Sequence, residues 1–101
     1  MKIALIQIKG KSSNDDNIEI ALEQIEKASD SSADFVVLPE MFSCPYKASN
    51  FPVYAQEDGG KNWQKLSAAA RKNKIYLVAG SMPELEISEE NGNRVEKIYN
   101  T

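Results

Sequence analysis

The chain has 101 residues, of which 42% are hydrophobic and 27% charged, and its formal net charge is −3. These proportions are typical of one small globular domain, and without a basic excess we expect no nucleic-acid partner. The longest apolar runs fall far short of the roughly 20 residues of a membrane-spanning helix, so we expect no membrane partner. The single cysteine, Cys44, allows no internal disulfide, which favours a cytoplasmic location.

The sequence contains no histidine. Ser-His-Asp triads, Cys-His pairs and histidine-based zinc sites are therefore excluded within this chain. Any catalysis must use carboxylates, lysine, tyrosine or the lone cysteine. No motif implies a metal or an organic cofactor.

The first third of the chain predicts a strand, a helix and a second strand. Residues 2–8 are mostly apolar on both faces, as in a sheet interior. A helix is predicted to begin near Asp15 or Asp16, because Asp16 and Glu19 have the spacing of a capping box. Residues 35–38 are a short apolar run that predicts a central buried strand. The apolar positions with helical spacing are Ile18, Ala21, Leu22, Ile25 and Ala28.

The remainder predicts one long loop, a helix and two strands. Residues 41–60 form an irregular stretch, and loops of this length are often functional. A helix follows over residues 62–73 and a third strand over 75–79. Residues 84–93 are acidic and polar: the acidic run 84–90 predicts a solvated loop, and Asn91-Gly92 predicts a turn before a fourth strand over 94–100. The helix residues expected in the core are Trp63, Leu66 and Ala70.

The order of these elements predicts an α/β fold. Strands separated by helices favour a largely parallel sheet covered by helices. We expect a single domain over residues 1–101, which breaks off in its last strand as if truncated.

Glu40 is the residue most suggestive of chemistry. Pro39 offers no N–H donor, so the second strand should end there and Glu40 should emerge at its carboxyl end. Ligands of open α/β sheets bind at that end of the strands. Met41 and Phe42 would supply apolar walls, and a carboxylate in apolar surroundings is a better base near neutral pH. From the residues alone, an ordinary loop carboxylate is the alternative.

The segment FVVLPEMF, residues 35–42, resembles the nitrilase-superfamily segment that carries the general-base glutamate. Residues 2–8 look like the first strand of that family, and residues 75–84, IYLVAGSMPE, look like its third strand and the following turn. Segments 43–46 and 51–55 are similar to their counterparts in the omega-amidase branch. The likeness runs in unbroken order through Tyr-Asn-Thr at the end of the chain.

This resemblance implies the N-terminal part of an αββα sandwich, with about four strands in one sheet, two helices on its outer face and a bare inner face. It also implies hydrolysis of a small linear amide by a Glu-Lys-Cys triad, and homo-oligomers are common in the family. Only the glutamate of the triad maps onto this chain, as Glu40. The lysine and the nucleophilic cysteine lie further along the family's chain, beyond residue 101.

Four other residues have weaker claims to a functional role. Cys44 does not match the family's nucleophile and is expected to be a small buried hydrophobe, and Lys47 a solvated loop lysine. Tyr46 either lines the substrate pocket through its hydroxyl or only packs. Glu84 matches a family glutamate near the rim of the active site, where contact with substrate and a structural hydrogen bond are both open.

Two classes of function compete. The first is an amidase, and the second is an inactive fragment or partner-binding module. A flavodoxin-like regulator is disfavoured, because nothing resembles a phosphate-binding loop and no acidic cluster follows the first strand.

Overall fold

The computed structural model describes residues 1–57 and 59–101. Asp58, inside the predicted irregular stretch, lies outside the described residues. In chain order the elements are β1 (Ile3–Leu5), α1 (Asn14–Asp30), β2 (Phe35–Val37), α2 (Phe51–Tyr54), α3 (Lys61–Asn73), β3 (Tyr76–Val78), β4 (Pro83–Glu90) and β5 (Asn93–Asn100), with a 3-10 turn at Ala48–Asn50 before α2. This confirms the predicted α/β class.

The first three strands form a parallel sheet in the order β1-β2-β3. Val36, at the centre of β2, lies opposite Ala4 on one side and Leu77 on the other. Because both crossovers step in the same direction across the sheet, right-handed connections place α1 and α3 on the same face. The prediction of two helices on one face is therefore confirmed.

The core lies between that face and the two long helices. Val36 is fully buried, and so are Ile18 and Ile25 of α1, while Leu66 of α3 is 2% exposed. At about 25 cal/mol per Å² of buried apolar area, side chains of this size each contribute roughly 1.5–3 kcal/mol. One apolar stripe on α1 and one on α3 thus hold the two helices against the sheet.

The opposite face of the parallel sheet is bare and apolar. Leu5 is 77% exposed and Tyr76 is 70% exposed, although both lie in strands. The Phe35 and Tyr76 rings stack with centroids 4.9 Å apart on this face. The bare face consists of Ile3, Leu5, Phe35, Val37, Tyr76 and Val78. The expectation of a bare inner face is confirmed.

The start of α1 lies one or two residues before its predicted position, and its capping residue differs. Ser13 is the N-cap, and its hydroxyl accepts the backbone N–H of Asp16 at 3.2 Å. Asp16 is the third helical residue, so it supplies negative charge to the first turn and does not cap it. The predicted capping box was wrong because Ser13, three residues earlier, satisfies the same N–H.

The hairpin formed by β4 and β5 corrects two expectations. The predicted acidic loop is strand β4, which pairs antiparallel with β5 over its whole length from Pro83 opposite Asn100. Asn91 and Gly92 have φ angles of 53° and 79°, as a two-residue type I′ turn requires. The predicted fourth strand was expected to join the parallel sheet, yet it forms a separate two-stranded sheet with β4.

Trp63 lies outside the core, contrary to its prediction, with 52% of its side chain exposed. Leu66, one turn later on α3, is buried beneath the sheet. Within residues 1–57 and 59–101, no helix is both long and apolar enough to cross a membrane.

Candidate functional site

Glu40 lies just beyond β2, at the carboxyl edge of the parallel sheet. The ladder extends one step past the strand, since the Leu38 N–H donates to the Val78 carbonyl at 3.0 Å. Pro39 then ends the pairing, as its missing donor predicts. The Glu40 side chain is exposed, while the next four residues, 41–44, are all buried.

Met41 produces this abrupt change in direction. Its φ of 50° is in the left-handed region, which a non-glycine residue adopts only when its surroundings hold it there. Ser81 supplies that hold, because its hydroxyl accepts the Met41 N–H at 2.9 Å. The Ser81 carbonyl accepts the Phe42 N–H at 3.2 Å. Phe42 packs into the core and, with Met41, also lines the small cavity at which the exposed carboxylate of Glu40 lies.

Asn17 fastens the loop that follows. It is fully buried on α1, and its amide nitrogen donates to the carbonyls of Ser43 at 2.8 Å and Lys11 at 2.9 Å. Its amide oxygen accepts the Lys11 N–H at 2.7 Å. Gly10 allows the same close approach, since a Cβ there would lie 3.1 Å from the Cys44 carbonyl oxygen. Two loops are thus locked together behind Glu40.

Glu40 and Tyr46 lie at the same small cavity, of about 80 Å³. Tyr46 is 69% exposed, and its ring meets the edge of Phe51 at a centroid distance of 5.7 Å. The structure therefore brings these two candidate site residues to one cavity. The lining residues are Ile8, Gly10, Pro39, Glu40, Met41, Phe42, Cys44 and Tyr46.

A larger groove of about 370 Å³ lies elsewhere, between α3 and the end of β3. Trp63 and Leu77 are among its lining residues, and none of the lining side chains is an acid or a base. The smaller cavity is the stronger candidate of the two for chemistry, because a carboxylate, a phenol and a thiol lie at it.

Glu84 is not brought to the cavity of Glu40. It lines a separate groove of about 100 Å³ together with Gln56, Glu57 and Trp63. Its strand contacts the irregular stretch there through a single parallel bridge between Gln56 and Glu84. The structure thus separates Glu84 from the other two predicted site residues.

Cys44 has the surroundings of a structural residue. Its side chain is 2% exposed, and its thiol points to the Met41 carbonyl, with the sulfur and oxygen 3.8 Å apart. Burial raises the pKa of the Cys44 thiol above its ordinary value, so the reactive thiolate is disfavoured. Lys47 is exposed on the loop, as predicted.

Asn100 is a site residue that sequence reasoning missed. Its side-chain amide donates to Oε1 of Glu40 at 3.0 Å across 60 residues of chain. No local pattern could have indicated this contact, which depends on how the hairpin is placed. Ser81 had a signal, since it follows a strand parallel to β2 and so belongs at the same sheet edge. The Glu40 carboxylate is thus held by Asn100, exposed to solvent beside the cavity, and able to accept a proton.

Residues 2–101 match the family model described as carbon-nitrogen hydrolase. The chain is 42% identical over 100 residues to the human protein named omega-amidase NIT2 and 37% identical to nitrilase homolog 2 of Dictyostelium discoideum. These alignments cover 99% of the chain but 33% and 29% of the relatives, so it spans about a third of their length.

A solved structure carries the same fold. Saccharomyces cerevisiae Nit3, a member of branch 10 of the nitrilase superfamily, superposes with a TM-score of 0.77 and is 32% identical. The superposition covers 99% of this chain and 40% of the yeast protein. The chain, with a strand-end glutamate held beside a cavity, belongs to the carbon–nitrogen hydrolase family of the nitrilase superfamily.

Proposed function

We propose that this chain supplies the general base of an amidase that hydrolyses a small linear amide. The observation that carries the proposal is the Glu40 carboxylate, which is exposed at the end of β2 beside the cavity that Tyr46 also lines. The match to the family over residues 2–101 supports the class of reaction. The omega-amidase names of several relatives support the class of substrate.

The proposed mechanism divides the reaction into two transfers. A cysteine that the family places beyond residue 101 attacks the amide carbon, while Glu40 takes the proton of its thiol. A lysine, also beyond residue 101, stabilises the negative oxygen of the tetrahedral intermediate. Glu40 returns the proton to the departing ammonia, and water then hydrolyses the acyl-enzyme with Glu40 again as base.

The substrate would enter from the side of the irregular loop. Tyr46 has an exposed hydroxyl at the cavity and can donate a hydrogen bond to a polar end of the amide. Glu84 would act only at the rim, from its separate groove. A monoamide of a short dicarboxylic acid is the substrate that we propose, in a cytoplasmic homo-oligomer without a cofactor.

The test is Glu40→Gln in an active enzyme that contains this segment. Gln keeps the size and the hydrogen bond of the side chain but cannot take a proton, so we expect kcat to fall by about 10²- to 10⁴-fold. Glu89→Gln, an exposed carboxylate on β4, is the matched control and should leave kcat unchanged. Ammonia release from a dicarboxylic monoamide measures both, and near-normal turnover of Glu40→Gln would remove Glu40 from the mechanism.

A second candidate, a partner-binding module without activity, is favoured by the bare apolar face of the sheet. The reading frame that encodes residue 101 separates the two. A downstream lysine segment and a strand followed by cysteine would support the enzyme, whereas a stop codon directly after Thr101 would support the module.

A further inference from the structure

We propose that Asn100 is a positioning residue, which holds the Glu40 carboxylate so that only one of its oxygens exchanges a proton. The inference rests on the proposed function, because it assigns Asn100 a task in the proton transfers of Glu40. The contact that carries it is the hydrogen bond from Nδ2 of Asn100 to Oε1 of Glu40, at 3.0 Å.

Hydrogen bonds to Ser81 and Met82 hold the backbone next to Glu40 and next to Asn100. Ser81 accepts the N–H groups of Met41 and Phe42, which fixes the backbone directly after Glu40. Met82 pairs with Thr101 through two backbone hydrogen bonds, the first of them donated by the Thr101 N–H at 3.0 Å. The segment 81–82 therefore sets the distance between Glu40 and Asn100, although 60 residues of chain separate them.

The chemistry of the two groups fixes the direction of the bond. A carboxylate only accepts, so the amide must present its NH₂ and not its oxygen. When Glu40 takes a proton on Oε2, Oε1 is still an acceptor and the bond from Asn100 survives. A proton on Oε1 would instead face an N–H donor. Asn100 thus directs the proton to Oε2, and the carboxyl does not have to rotate between taking the proton and returning it.

The other charged or titratable groups around the pair lie on separate elements. Tyr46 and Cys44 share the cavity with Glu40. On the hairpin, Tyr99 precedes Asn100, and Glu84 lies opposite Tyr99. In the chain 1–101, Glu84 and the terminal carboxylate of Thr101 could both mimic a response of Glu40 to acid. Glu84→Gln is the matched control for the first, and loss of the response in Glu40→Gln excludes both.

The test follows the side-chain NH₂ signals of Asn100 in the ¹⁵N-labelled chain 1–101, identified by their loss in Asn100→Ser. We expect one of the two protons to be shifted downfield at neutral pH and to move upfield on acidification. Glu40→Gln should abolish the response to pH, Glu40→Ala should abolish the downfield shift, and Glu84→Gln should preserve both. Charge-assisted bonds are about twice as strong as neutral ones, which is why protonation changes the signal.

Identical Asn100 signals in the wild type and in Glu40→Ala would overturn the proposal, as would a response to pH that Glu84→Gln removes. In an active enzyme that contains the segment, Asn100→Ala should lower kcat by about 10- to 100-fold with little change in KM, since orientation alone is lost. Failure of Glu40→Gln to lower turnover would refute the proposed function, whereas the NMR result stands or falls without turnover.

Discussion

At the scale of the residue, the molecule separates two side chains that the sequence sets four positions apart. Glu40 is exposed and held by Asn100, whereas Cys44 is buried among apolar neighbours. The left-handed backbone at Met41 makes this separation possible, because it turns the chain inward directly after the carboxylate. A carboxylate and a thiol thus lie at one cavity, and burial disfavours the thiolate.

We therefore predict that the 101-residue chain by itself releases no ammonia from dicarboxylic monoamides. Burial raises the pKa of Cys44, and a positioned base alone contributes only about 10²- to 10⁴-fold, which does not replace covalent attack on an amide. The measurement is ammonia release by the purified chain, with Cys44→Ala as the control. Turnover that disappears in Cys44→Ala would identify Cys44 as a nucleophile and contradict this prediction.

At the scale of the element, α1 and α3 are joined by ion pairs along their exposed sides. Lys61 pairs with Asp15 at 3.1 Å and Lys72 with Glu26 at 3.0 Å. Asn73 also donates to Glu26, at 3.2 Å. Such exposed pairs contribute little individually, so the apolar stripes hold the helices together and the charges adjust their register.

Glu26 makes the contact between these helices sensitive to acid. Hydrogen bonds from Asn73 and then Lys72 lower the pKa of Glu26 below its ordinary value. A lowered pKa in the folded state stabilises the fold above the unfolded pKa, and this contribution is lost as the pH falls through the folded pKa. We predict that Glu26→Gln lowers the urea midpoint at pH 7 and that the difference shrinks in acid, as the pH falls through the folded pKa of Glu26.

The control for this measurement is Glu23→Gln, at an exposed position one turn earlier on α1. It should leave the urea midpoint unchanged at both values of pH. A difference between wild type and Glu26→Gln that persists in acid would show that the effect comes from packing or helix propensity, not from charge.

The elements also show how far local pattern predicts structure. The helical spacing of Ile18 and Ile25 predicted α1, because it places both side chains on the one helix face that packs in the core. The strand β4 was missed, although Leu85 and Ile87 alternate with glutamates, because the prediction gave its four glutamates more weight than its period of two. The position of Glu40 at the sheet edge could be predicted from its strand and proline, whereas its contact with Asn100 could not, since that contact is made across the fold.

At the scale of the whole molecule, one face of the parallel sheet is covered by helices and the other is exposed. The covered face packs on α1 and α3, and the bare face exposes side chains such as Leu5 and Tyr76. Contiguous apolar patches of this kind are rare on monomers and promote association. The hairpin is a second element that other structure would stabilise, because a two-stranded sheet is only marginally stable by itself.

We predict that the chain self-associates through its bare face as its concentration rises. Leu5→Lys places a charge at a position that is 77% exposed, so it should suppress association without disturbing the core. Val53→Lys, at a 78% exposed position on α2, is the matched control and should leave association intact. Sedimentation velocity over a concentration series measures this, and a compact monomer throughout would refute it.

From the hydrogen bond between Asn100 and Glu40 we also expect an order of events during folding. The hairpin closes through a two-residue turn, and such ribbons form in about 1–10 μs, whereas the contact with Glu40 closes a span of 60 residues. Closing the 60-residue span costs more entropy than closing the hairpin turn. We therefore expect β5 to pair with β4 before the hairpin docks against Glu40. The carboxylate then acquires its final orientation in the last step, and partial unfolding of the hairpin would release it before the core opens.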